Sequence, residues 1–84
     1  MPASEIVLRN GHLVHEEVGS FASYTPFISP SGGVEVKIFI KTDTESKRWY
    51  SVGENFSVRD QVWKLDRVEN PGQDDWVAYL ARVE

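Results

Sequence analysis

The sequence has no cysteine, so neither a disulfide nor a thiolate metal site reinforces it. It has no apolar run approaching the roughly 18–20 residues of a membrane-spanning helix. The first residues, Met1 to Glu5, carry no basic leader, and the expected location is the cytoplasm. Helix-period segments longer than one turn are missing too. Nucleophilic chemistry lacks its parts: no serine sits in a Gly-x-Ser-x-Gly elbow, and two histidines are the whole supply of neutral-pH bases. A phosphate loop is also missing, because Ser31-Gly32-Gly33 is followed by neither a lysine nor a helix. Basic residues are the minority, 9 against 13 acidic ones, giving a net charge of −4. That balance argues against nucleic acid as a partner, since phosphate binding needs a basic face.

What the chain does have is aromatic side chains: three Trp, three Tyr and four Phe in 84 residues. A single domain of this size, spanning residues 1–84, buries only ~60–65% of its unfolded surface. Each packed ring removes on the order of 150–250 Å² from water, so a handful of rings can build most of a core.

The last third reads as an antiparallel meander. Phe56-Ser57-Val58 turns through Arg59-Asp60-Gln61 into the run Val62 to Val68, and Asn70-Pro71-Gly72 leads into Trp76 to Val83. Within it, Trp63 and Leu65 point one way while Val68 belongs to the opposite set, which a β-bulge near Asp66-Arg67 reconciles. The last strand is apolar on both faces, with Trp76, Ala78 and Leu80 on one and Val77, Tyr79, Ala81 and Val83 on the other. That marks it as central or barrel-closing.

Upstream, Val34, Val36, Ile38 and Ile40 share a face opposite Glu35 and Lys37, and Phe39 interrupts the polar side. Lys41 to Ser46 form a turn, and Lys47 to Val52 return, with Trp49 and Tyr50 on opposite faces. Phe21 to Ile28 reads as an irregular strand that breaks or lies at an edge, because Pro26 cannot donate to a ladder. Ile6 to Arg9 is a short strand ended by Asn10-Gly11, a hairpin signal for which Leu13-Val14-His15 is either the returning strand or the far side of a loop. Six or seven short strands with closely spaced turns indicate an all-β domain. The expected forms are a small antiparallel barrel, SH3-like or OB-like, or a compact sandwich.

The segments Ile6 to Gly11, Gly53 to Val58 and Gln61 to Gly72 resemble a group of short uncharacterised actinobacterial proteins. The resemblance covers most of the chain and is weakest between His12 and Pro30. It implies a single all-β cytoplasmic domain, and it transfers no activity and no functional residue.

His12 and His15, followed by Glu16 and Glu17, are the metal ligands available by type. Residues three apart on a strand face opposite sides, and a divalent site needs three or four ligands, so the expectation is surface histidines with no metal and no cofactor. Asp74 and Asp75 are adjacent in a turn and cannot face each other across a cleft, so they read as solubilising residues. Lys37, Lys41, Lys47 and Arg48 flank one turn, but Glu35, Asp43 and Glu45 lie among them, which is the pattern of a solvated surface.

The aromatics remain as the candidate site. Trp63 shares a face with Leu65 and reads as core. Phe39, Trp49, Tyr50, Trp76 and Tyr79 read as an aromatic sheet face that binds another protein or a second copy of the chain. The expected function is therefore a non-enzymatic interaction module with no membrane partner. The alternative is a carbohydrate- or small-ligand-binding β domain that stacks its ligand on Trp49 and Trp76.

Overall fold

The computed structural model describes residues 5–83 and contains strands and turns with no helix. Nine strands follow one another: β1 (Glu5–Arg9), β2 (Val14–Glu16), β3 (Gly19–Ser23), β4 (Phe27–Ile28), β5 (Val34–Lys41), β6 (Glu45–Ser51), β7 (Asn55–Val58), β8 (Gln61–Glu69) and β9 (Val77–Arg82). They exceed the six or seven expected because Pro26 splits the second strand in two and Val14–Glu16 is a strand of its own.

All pairings are antiparallel and fall into two sheets. The first sheet has the order β1-β9-β8-β7. In the second, β3 pairs with β2 and, with β4, lines one side of β5, while β6 takes the other side. The C-terminal meander is therefore as read, with β9 central between β1 and β8. The Asn10-Gly11 turn is present, with Gly11 at φ 78° and His12 N donating to Arg9 O over 3.2 Å, but it does not close a hairpin. It carries the chain from one sheet to the other, since β1 pairs with β9 and β2 pairs with β3.

The sheets pack face to face around one core, the sandwich form of the expected fold. The first contributes Ile6, Leu8, Phe56, Val58, Trp63, Leu65, Trp76, Ala78 and Leu80; the second contributes Phe21, Val36, Ile38, Ile40 and Tyr50. Aromatic contacts bridge the layers: the Phe21 and Trp63 rings lie 6.3 Å apart between centroids, and Tyr50 and Phe56 lie 4.6 Å apart. Arg59, at the turn between β7 and β8, ties the layers from outside. Its Nε donates to Val18 O over 3.0 Å and its Nη2 to Asp43 Oδ1 over 3.1 Å.

Two one-residue insertions set which side chains face out. Between β8 and β9 the register shifts by one residue after Leu65, so Asp66 is the bulge inferred from the phase slip. Along β5, Ser23 lies opposite Ile38 and Tyr24 N bonds Lys37 O over 2.9 Å, whereas Phe27 lies opposite Glu35. Three steps on one side match two on the other. The extra residue falls at Thr25-Pro26.

Candidate interaction face

In an antiparallel sheet, residues directly opposite one another share a face. Applied to the second sheet, the register builds its outer surface row by row. Ala22, Phe39 and Lys47 form one row across β3, β5 and β6; Tyr24, Lys37 and Trp49 form the next; Phe27, Glu35 and Ser51 form a third. At the far end, Ser20, Lys41 and Glu45 align, and the Lys41–Glu45 ion pair closes at 3.8 Å.

The aromatic members of this face are open to solvent. Tyr24 is 46% exposed, Phe27 50% and Trp49 50%, with Phe39 half-buried among them. Lys37 stands at the centre, its ammonium 5.5 Å from the Tyr24 ring centroid, within cation–π reach. Among the described residues no carboxylate pairs with Lys37, Lys47 or Arg48.

The five aromatics expected to form one site divide three ways. Phe39 and Trp49 lie on this face. Tyr50 and Trp76, 5% and 1% exposed, are core, which corrects their assignment to a binding surface. Tyr50 points inward because it opposes Val36, and burial pushes its phenol pKa up. Trp76 packs with Ala78 and Leu80 in the central layer. Trp49 and Trp76 therefore cannot jointly stack a sugar ring, and the carbohydrate platform drawn from the sequence has no geometry behind it.

Tyr79 lies on the opposite side of the sandwich, on the outer face of the first sheet, where its groups are already engaged. Its hydroxyl donates to Glu69 Oε1 over 2.6 Å, and the Arg67 guanidinium covers its ring at 3.7 Å from the centroid. The hydrogen bond to Glu69 is the main cause of a raised Tyr79 pKa. Arg67 in turn contacts Asp66 at 2.9 Å and Glu5 at 3.8 Å, and Lys64 reaches Asp66 at 3.8 Å. The bond to Asp66 leads the causes that raise the Arg67 pKa.

Tyr24 and Phe27 were missed as members of the site. On an uninterrupted strand, residues three apart face opposite ways; the inserted residue at Thr25-Pro26 puts both rings on the same side. The proline announced a break, and a break permits a change of phase.

Of the histidines, His15 lies opposite Ser20 in the far row of this face, its Nδ1 2.8 Å from Ser20 Oγ. Among the described residues no three His, Asp or Glu side chains gather closely enough to hold a metal ion. Asp74 and Asp75 occupy the exposed turn before β9, where the Asp74 carbonyl accepts from Asn10 Nδ2 over 3.3 Å.

The fold and its surface define a small antiparallel β-sandwich with one outer face paired within itself and one left open and aromatic. Within that class the chain belongs to a family of unknown function, DUF6406, whose model matches residues 3–84. No curated protein and no solved structure matches the chain.

Proposed function

We propose that the protein is a non-enzymatic interaction module whose partner, another protein, docks on the outer face of the second sheet around Tyr24, Phe27, Lys37, Phe39 and Trp49. The observation that supports this is the contrast between the two outer faces. On the first sheet, the Glu5, Lys64, Asp66, Arg67, Glu69 and Tyr79 side chains are bonded or ion-paired to one another. On the second, three large aromatics stand about half exposed around a lysine with no carboxylate partner among the described residues. Exposed aromatic side chains in such a cluster are the side chains that dominate protein interfaces once desolvated.

The test is capture of partners from an actinobacterial lysate, the source suggested by the sequence resemblance. The comparison is the wild type, a Trp49→Ala, Phe27→Ala variant and, as a control on the opposite face, Lys64→Ala. A protein retained by the wild type and the control, and lost by the aromatic variant, is the expected result. Retention by all three would put the interface elsewhere. Concentration-dependent self-association abolished by the aromatic substitutions would identify the partner as a second copy.

A further inference from the structure

β6 is an edge strand: among the described residues, the one strand it pairs with is β5. Its backbone phase follows from one bond. Val52 N donates to Val34 O over 3.2 Å, and hydrogen-bonded pairs alternate along an antiparallel ladder. Tyr50, Arg48 and Ser46 therefore direct their backbone groups at β5, while Ser51, Trp49, Lys47 and Glu45 direct theirs away from it. Ser51 is already capped: its N–H donates to Glu54 Oε1 over 3.0 Å, and its carbonyl accepts from Glu54 N over 3.0 Å. The open backbone groups are those of Glu45, Lys47 and Trp49.

These same residues carry their side chains on the aromatic outer face, because backbone direction and side-chain direction alternate together along a strand. Arg48 projects to the other side of the edge, beside the Tyr50 ring at 5.9 Å. The free edge thus joins three open N–H and C=O pairs, those of Glu45, Lys47 and Trp49, to an exposed indole and to two cations, Lys47 and Arg48, with no carboxylate partner among the described residues.

We infer that this edge accepts an acidic, extended peptide segment of the partner by strand addition. The incoming strand pairs with Lys47 and Trp49. It places an acidic side chain beside Lys47, another beside Arg48 and an apolar one against Trp49. Backbone pairing supplies the contact, and alternate side chains supply the choice of sequence. The chain as a whole is acidic, at −4, so these cations are a local exception and select for the opposite charge. A second copy fits less well: antiparallel pairing across the middle of the free stretch would set Lys47 against Lys47. Lysines on an edge strand also guard against aggregation. A guard of that kind works with either sign of charge, whereas recognition does not.

The inference rests on the proposed interaction module, and its test separates the two. The probe is a capped eight-residue peptide with two adjacent glutamates at its centre and β-branched residues on either side. It is compared with a version carrying lysines for the glutamates and with one whose alternate backbone amides are N-methylated. Binding is read by amide NMR shifts and hydrogen exchange on the full chain. The expected result is protection of the Lys47 and Trp49 amides by the glutamate peptide, with the other two peptides binding at least about tenfold more weakly. A Lys47→Glu, Arg48→Glu variant, altered only at exposed side chains, should reverse the preference toward the lysine peptide. Equal binding of the glutamate and lysine peptides, indifference to N-methylation, or no binding at millimolar peptide would overturn the inference. Shifts confined to Tyr24 and Phe27, without protection on β6, would also overturn it while leaving the interaction face in place.

Discussion

Trp49 and Trp76 are the same side chain in opposite environments, one half exposed and one 1% exposed. Replacing Trp76 with alanine removes a ring from the centre of the core and leaves a cavity, a change that costs about 3–5 kcal/mol. For a domain whose total stability is of the order of 5–15 kcal/mol, the variant should be largely or wholly unfolded at moderate urea. Trp49→Ala removes no core contact, and its unfolding midpoint should move by no more than about 0.5 kcal/mol equivalent. Urea titrations of both variants check this, and a large loss for Trp49→Ala would show that its ring is structural. The difference was only half visible in the sequence. Alternation along Lys47 to Val52 shows that Trp49 and Tyr50 face opposite ways, but not which one faces the core. Trp76 begins a segment apolar on both sides, so its own strand holds no sign of its direction; the direction comes from the opposing sheet.

Elements were more legible than their partners. The Val34 to Ile40 alternation, the meander and the Asp66 bulge can all be read locally, because side-chain period and phase are properties of a single strand. Pairing between distant strands is not local, which is why Asn10-Gly11 looks like a hairpin and instead links two sheets. The β2–β3 connection is a case where the sequence looks bland and the geometry is strict. A Cβ on Gly19 would lie 2.6 Å from the Lys41 carbonyl oxygen and 2.9 Å from Thr42 Cγ2. The first of these is backbone of the neighbouring strand and cannot swing aside. Gly19→Ala should therefore destabilise the protein by about 1–3 kcal/mol through forced separation of β3 from β5. Hydrogen exchange should show the loss first at the β3 and β5 amides. An alanine variant with wild-type stability would mean that these strands part at little cost.

At the scale of the whole molecule, the network on the first sheet's outer face is coupled to pH through Tyr79. The network around Tyr79 depends on a neutral phenol that donates to Glu69, and this raises the Tyr79 pKa above its ordinary value of 10.0. Tyr50 is raised as well, by burial. A phenol whose folded-state pKa is raised holds its proton more tightly when folded. Its contribution to stability is present in full below about pH 10 and is lost as pH rises through the folded value. Thermal unfolding should therefore move to lower temperature between about pH 8 and about pH 11. Tyr79→Phe should reduce the size of that shift, since phenylalanine keeps the ring under Arg67 and removes the proton that titrates. Within the same alkaline interval the open face loses nothing through Tyr79, because its aromatic rows lie on the other side of the core. Binding at Tyr24, Phe27 and Trp49 should thus be unchanged by Tyr79→Phe at neutral pH. A Tyr79→Phe variant that lost partner binding while keeping its melting temperature would join the two faces into one functional surface and reverse the assignment made from their geometry.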